Sequence, residues 1–323
     1  MSELHLGIDV GGTKVLGVAI DPADPTVPVL VHRGSTPGDV DSLVEVLSET
    51  VEQLRRGCVE MGQVPGPIGV GVPGIVDRDG VLRAAPNLLC AIDQPVRSRL
   101  EQRVGSEVVF ANDANCALLA EARVGAGRGA SDVVFVALGT GIGGAVLVDG
   151  ELQVGTHGFA GEPGHMVVER DGVPCPCGRR GCWERYASGA GLAWLAEQSV
   201  RAGGGARILE LAGGEPSWIA GEHVTAAADE GDGDALELFE QFSRWIALGI
   251  GNLINTLDPD LVIIGGGVAV HSRHFLSRVE ELLSAEVLGA GPHRPTRVAL
   301  VRLGPEAGAI GAALLAGSQR RPR

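Results

Sequence analysis

The chain has 323 residues, room for one large domain or two ordinary ones, and 45% of them are hydrophobic, enough for a packed core. Aromatics make up only 3%, so Val, Leu, Ile and Ala must fill that core. The net charge of −14 argues against nonspecific binding to nucleic acid or anionic lipid. An anionic substrate must then be met locally, by backbone N–H groups, metal ions or a few basic residues.

The 50 glycines follow no three-residue period, which excludes collagen. They gather at the ends of apolar runs, where tight turns and close ligand approach belong. No basic segment leads into an apolar stretch at Met1 to Gly7, so no signal peptide is expected. No apolar run reaches the roughly 20 residues of a bilayer span. The expected location is cytoplasmic, with no nucleic-acid or membrane partner.

In chain order, Leu4 to Val10 predicts a strand, Gly11-Gly12-Thr13-Lys14 a glycine turn, and Val15 to Ile20 a second strand. A third strand fits Val27 to His32. Leu43, Val44, Leu47, Val51 and Leu54 recur at helical spacing, predicting a helix over Val40 to Met61. Ile68 to Val72 reads as a strand ending at Pro73-Gly74. Val108 to Ala111 is a short strand running into Asn112-Asp113-Ala114-Asn115, and a helical stretch, Cys116 to Val124, follows.

The opening pattern then returns: a strand at Val133 to Leu138, a glycine turn over 139–144, and a strand at Ala145 to Val148. GIDVGGTKVLGVAID and VALGTGIGGAVLVDG both read as a β-hairpin with a Gly/Thr tip, by weak internal duplication or by chance. Farther on, Phe239, Phe242, Ile246, Ile250 and Leu253 mark a long helix that stops before Pro259. A strand, Leu261 to Ile264, ends in Gly265-Gly266-Gly267, and a last helix covers Glu306 to Ala316. The basic tail, Gln319 to Arg323, is expected to be disordered. Alternating strands and helices predict an α/β protein.

A glycine tip lets backbone N–H groups approach phosphate oxygens. Thr13 and Thr140 add hydroxyls, Lys14 adds a charge, and Asp9 ends the first strand. A P-loop needs Lys before Ser/Thr and a helix directly after, but here Thr13 precedes Lys14 and a β-rich run follows. GTGIGG has dinucleotide-site spacing, yet AVLVDG is a poor helix start. Phosphate binding is the remaining functional reading of the two tips.

Asp113 stands where a strand gives way to a helix. It is either a general base for a hydroxyl nucleophile or, with Asn112, merely a helix cap. Glu162 and Glu184 flank a cysteine loop and suit paired sugar hydroxyls, although exposed glutamates are usually solvated surface. His165, Cys175, Cys177 and Cys182 form the ligand set of a closed, structural zinc site, a loop disulfide or free thiols being the alternatives. In a chain without an export signal, metal comes first. Zinc would pin the loop that carries both glutamates, and His165 could bind metal through one ring nitrogen and face a ligand with the other.

DVGGTK at 9–14, GVPGIVD at 71–77, APN at 85–87, NDAN at 112–115, LGTGIGG at 138–144, EPGH at 162–165, CPCGRRGCWE at 175–184 and GGGV at 265–268 together resemble the ROK family (repressors, open reading frames, kinases), above all its ATP-dependent glucokinases from high-GC actinobacteria. The resemblance runs in order over nearly the whole chain. It implies an actin-like, hexokinase-like (ribonuclease H-like) ATPase fold of two α/β lobes around a cleft. The small lobe would hold 1–115 plus 305–323, and the large lobe 116–304 with the zinc loop. It implies phosphorylation of a hexose, glucose first, by ATP with Mg²⁺. Asp113 would be the base. Asn87, Asn112, Asp113, Glu162, His165 and Glu184 would contact the sugar. Asp9, Gly11, Gly12, Thr13, Lys14, Thr140 and Gly141 would lie near the phosphates, with Gly266 and Gly267 near the adenosine. His165, Cys175, Cys177 and Cys182 would hold structural Zn²⁺, and a homo-oligomer, dimer or tetramer, is expected.

Three rivals are weaker. A sugar-sensing repressor needs a helix-turn-helix ahead of Asp9, a polyphosphate-using kinase generally lacks the cysteine loop, and a kinase for mannose, fructose or an N-acetylhexosamine shares the same motifs.

Overall fold

The computed structural model describes residues 2–85, 88–291 and 297–319. The elements in chain order are β1 (Glu3–Val10), β2 (Lys14–Ile20), β3 (Leu30–Ser35), α1 (Val40–Glu60), β4 (Val64–Val72), β5 (Ile75–Val76), β6 (Leu82–Ala84), α2 (Val96–Val104), β7 (Val108–Asn112) and α3 (Asp113–Val124). Then come β8 (Val133–Leu138), β9 (Ile142–Val148), β10 (Glu151–Leu152), α4 (Glu184–Ala187), α5 (Gly189–Arg201), α6 (Ala206–Leu211) and α7 (Gly221–Asp229). The last are α8 (Gly233–Leu257), β11 (Leu261–Gly265), α9 (Leu276–Glu286), β12 (Arg297–Leu300) and α10 (Ala307–Gln319).

Two five-stranded sheets organise them, in the orders β3-β2-β1-β4-β7 and β10-β9-β8-β11-β12. The chain is thus α/β, as its alternating pattern predicts. Its residues group into two compact units, one of 1–131, 145–160 and 301–323, the other of 132–144 and 161–300. Among the described residues no helix is long and apolar enough to cross a membrane.

In the first unit, β1 is antiparallel to β2 and parallel to β4, which is parallel to β7. The register pairs Asp9 with Gly71 and Gly71 with Ala111, with Val72 opposite Asn112. Three segments far apart in sequence therefore end together at the carboxyl edge of parallel strands, the edge where α/β sheets present ligand groups. The strand expected at Val27 to His32 lies three residues later, because the ladder with β2 begins at Leu30, opposite Ala19. Pro25 and Pro28 cannot donate to such a ladder. Helix α1 is capped by Asp39, which accepts from the Ser42 N–H, and it buries Leu43, Val44, Leu47, Val51, Leu54 and Cys58.

Helix α10 lies unusually close to its neighbours. A Cβ on Gly7 of β1 would stand 1.9 Å from the Ala309 carbonyl oxygen, and one on Gly69 of β4 would stand 2.0 Å from that of Ala312. A Cβ on Gly311 would meet the Cys116 carbonyl oxygen of α3 at 1.7 Å. Backbone cannot yield as a side-chain tip can, so overpacking here is expensive. Gly7→Ala is expected to cost about 3 kcal/mol, read as a lower urea midpoint. An unchanged midpoint would refute this packing account.

In the second unit, β8 and β11 run parallel, as do β11 and β12. Leu238, Phe239, Phe242, Ile246, Ile250 and Ile254 of α8 bury one face in a core with Val134, Val136, Val262 and Ile264. Gly265 pairs with Ala137, and Gly266, at φ +85°, lies against the Leu138 backbone, where a Cβ would be 2.3 Å from the carbonyl oxygen. The carboxyl ends of β8 and β11 thus meet as two glycine-rich segments.

Candidate functional site

The first unit supplies a carboxylate centre. Asp9 is the penultimate residue of β1 and Asp113 opens α3, both half-buried. Asn112 serves as the N-cap: its Oδ1 accepts from the Asn115 N–H at 3.0 Å, and its Nδ2 donates to the Gly74 carbonyl at 2.9 Å. With capping assigned to Asn112, the Asp113 carboxylate accepts from the Ala114 N–H at 2.8 Å.

Burial pushes the Asp113 carboxyl up to about 6. Asp9 is pushed up to about 7, by burial first and by the Asp113 charge second. The fully buried Cys116 thiol beside them is raised well above its usual range, again by burial first, then by Asp9 and Asp113. Small residues floor the centre. A Cβ on Gly71 would lie 3.6 Å from Asp9 Oδ1, and one on Gly308, near the start of α10, would lie 2.8 Å from it.

The first glycine turn begins two residues after Asp9, at Gly11. The Gly11 N–H donates to the Lys14 carbonyl at 2.8 Å, and Gly12, Thr13 and Lys14 are exposed. Thr36 braces the turn from outside: its Oγ1 donates to the Gly11 carbonyl at 2.7 Å and its N–H to the Thr13 carbonyl at 3.1 Å. Nothing in the sequence pattern singles out Thr36. Asn87 lies outside the described residues.

The second unit supplies a glycine turn and a sulfur–nitrogen cluster. Gly139, Thr140 and Gly141 link β8 to β9. The Gly189 N–H of α5 donates to the Gly139 carbonyl at 2.8 Å, and the Ala190 N–H donates to that of Thr140 at 3.3 Å. Glu162 leads into a short turn, Pro163–His165, that presents His165. Glu184 opens α4.

One ligand atom each from His165, Cys175, Cys177 and Cys182 falls within 4.8 Å of the others. The Cys177 and Cys182 sulfurs are 3.6 Å apart and Cys175 Sγ is 3.9 Å from His165 Nδ1. Zinc–sulfur bonds of about 2.3 Å in a tetrahedron put sulfurs roughly 3.8 Å apart, so the four residues fit zinc. Zinc there would neutralise thiolates and fix the loop. All six cysteines are free, so the disulfide alternative is not realised among the described residues. The Cys177 thiol falls to about 7, since hydrogen bonds from Arg179 and the two neighbouring cysteines outweigh the burial that opposes them. Glu184 adjoins the cluster, its Oε1 accepting from Cys175 Sγ at 3.0 Å and lying 3.5 Å from His165 Nδ1.

Comparison with known families matches residues 5–319 to the ROK family. The chain belongs to the ROK family. A glucokinase of Streptomyces coelicolor is 33% identical over 316 residues, 97% of either chain. An N-acetyl-D-glucosamine kinase of Yersinia pseudotuberculosis is 32% identical over 327 residues, covering 97% of this chain and 98% of its own. Among solved structures, a ROK family glucokinase from Streptomyces griseus, in complex with glucose and AMPPNP, superposes with a TM-score of 0.81 at 35% identity, over 98% of this chain and 99% of that one. The actin-like fold of ROK hexokinases and glucokinases is therefore the fold of this chain.

Proposed function

We propose that this protein is an ATP-dependent hexose kinase whose substrate is glucose, with Asp113 as general base. The observation that carries the reading is the carboxylate centre. Asp113 sits at the carboxyl edge of three parallel strands, half-buried, with its proton affinity raised to about 6. A base of that strength is ionised at neutral pH, yet basic enough to accept a hydroxyl proton as the oxygen attacks phosphorus. The kinase relatives over nearly the whole chain support the reaction class, and the glucokinases among them support glucose.

Each unit has its part. In the first, the N–H groups of the Gly11–Thr13 turn and the Lys14 ammonium would steady phosphate oxygens, charge stabilisation being the main protein contribution to phosphoryl transfer. Asp9 would meet the Mg²⁺ that accompanies ATP. Its carboxylate, raised to about 7 by burial and then by the Asp113 charge, suits a divalent cation, which would neutralise phosphate charge. In the second, Thr140 and Gly141 would face phosphate, Gly266 and Gly267 the adenosine. Glu162, His165 and Glu184 would hold sugar hydroxyls, as would Asn87 and Asn112 of the first. His165, Cys175, Cys177 and Cys182 would hold structural zinc.

A second reading, an N-acetylhexosamine kinase, is favoured by the Yersinia relative at nearly the same identity. Initial rates with Mg-ATP separate the two across glucose, mannose, fructose, N-acetylglucosamine and N-acetylmannosamine, with polyphosphate as a second donor. The expected result is a kcat/KM for glucose at least about tenfold above the others, a gap of about 1.4 kcal/mol in transition-state binding, and no turnover with polyphosphate. A preference for N-acetylglucosamine would replace the substrate and keep the chemistry. No turnover with any sugar, in zinc-replete protein, would overturn the kinase reading.

A further inference from the structure

Gly141 reads from the sequence as part of a phosphate turn, yet what it touches in the structure is Glu184. A Cβ built on Gly141 would stand 2.5 Å from Glu184 Oε2 and, its chain neighbours aside, would meet among the described residues only the Glu184 carboxyl carbon besides, at 3.6 Å. The turn cannot retreat easily. Its Gly139 N–H donates to the Gly141 carbonyl at 2.9 Å, and α5 holds the Gly139 and Thr140 carbonyls from the other side.

Glu184 is fixed as well. Its side chain is 17% exposed, and its other oxygen, Oε1, lies 3.0 Å from Cys175 Sγ and 3.5 Å from His165 Nδ1. Its backbone carbonyl accepts from the Ser188 hydroxyl at 2.6 Å, and the adjacent Trp183 is fully buried and donates from its indole nitrogen to the Trp245 carbonyl. The carboxylate thus lies between a sulfur–nitrogen cluster on one oxygen and a bare glycine backbone on the other.

We infer that Gly141 is a positioning residue for the hexose, because its missing side chain sets where the Glu184 carboxylate stands. The second glycine turn then places a sugar-binding group as well as facing phosphate. This rests on the assignment of Glu184 as a sugar contact. The backbone itself does not call for a glycine here, since Gly141 is not among the glycines with positive φ. Because a new methyl meets the tip of a side chain and not backbone, the fold accommodates it and the carboxylate gives way. Gly141→Ala should therefore damage sugar binding far more than stability.

The test is calorimetric titration of glucose, and separately of AMPPNP, into wild type, Gly141→Ala, Glu184→Ala and the double variant, with melting temperature and zinc content recorded for each. Gly141→Ala is expected to weaken glucose at least tenfold with a melting temperature near that of wild type. Adding it to Glu184→Ala is expected to cause no further loss of glucose affinity, since the methyl then has nothing to displace. Glu184→Asp, whose carboxylate stops one methylene short, is a second background that should absorb the methyl in the same way. Gly141→Ala with wild-type glucose affinity, or losses that multiply independently in the double variant, would overturn the inference and leave the kinase reading standing. A wild-type protein that binds AMPPNP but none of the hexoses would overturn the hexose reading, and this inference with it.

Discussion

Asp113→Asn is expected to lower kcat by about 10²–10⁴-fold while glucose still binds and the free protein becomes more stable at pH 8. Asparagine keeps the shape of the side chain and an oxygen for the Ala114 N–H, but it cannot take a proton. The stability half follows from burial, which raises the folded carboxyl to about 6 from an ordinary value near 3.8. Below about pH 4 the carboxyl is protonated folded or unfolded, and the variant and wild type should be equally stable. Between about pH 4 and 6 the unfolded chain ionises more readily than the folded one, so wild type loses stability progressively, and above 6 the gap is constant.

The same protonation shapes activity. Wild-type kcat/KM should fall on the acid side with an apparent value near 6, and the residual rate of Asp113→Asn should keep only the part of that limb that Asp9 contributes. Asp9 is close enough that the two carboxyls titrate as a pair, so the limb belongs to both. Steady-state rates from pH 5 to 9 and melting curves at pH 4 and 8 check each part. Wild-type turnover in Asp113→Asn would remove Asp113 as the base, and a melting temperature that drops at pH 8 would show that burial does not oppose its charge.

Which parts of this arrangement a reader of the sequence could see depends on how local the physics is. The two hairpin tips are legible because glycines between β-patterned runs signal turns, and both hairpins form. The cysteine loop is legible because ligand chemistry and spacing act over ten residues, and its fourth partner, His165, lies only ten residues before Cys175. The carboxylate centre is half legible. Asp113 stands out at a strand–helix junction, but its helix begins three residues earlier than the apolar pattern suggests, because Asn112 supplies the cap. That Asp9 lies beside it is a matter of parallel register between β1, β4 and β7, which no local pattern carries.

The helices between Glu184 and Asp229 escape notice because α4 and α6 are short and the buried faces of α5 and α7 are narrow and built largely of Gly, Ala and Thr beside Leu192, Leu195 and Val224. Gly7 and Gly69 read as weak points in strands, yet they are where α10 passes too close for any side chain. Gly141 misleads in the same way, since a glycine needed by a neighbouring carboxylate looks identical in sequence to one needed by a phosphate.

Glu121 is the least legible residue of all and should have the largest effect on stability. On a helix in an acidic protein it reads as solvated surface, yet it is fully buried. Its Oε1 accepts from the N–H groups of Arg302 at 2.9 Å and Leu303 at 2.8 Å, and its Oε2 accepts from that of Ala126 at 2.7 Å. Gly125 is bare because a Cβ there would stand 2.0 Å from Oε2. One carboxylate thus ties the turn after α3 to the segment that enters α10, and so fixes where Gly308 meets Asp9.

Glu121→Gln is expected to lose about 1–3 kcal/mol, because only one end of an amide accepts and the other turns donors toward an N–H. Glu121→Ala removes the shared acceptor of three part-buried N–H groups and is expected to lose about 3 kcal/mol or more, a fall of roughly 4–5 °C in Tm. Both should also raise the KM for ATP, since α10 positions the floor beneath Asp9. Calorimetric melting of the two variants decides it: an alanine variant within 2 °C of wild type would mean that water replaces the carboxylate and that α10 is held by packing alone.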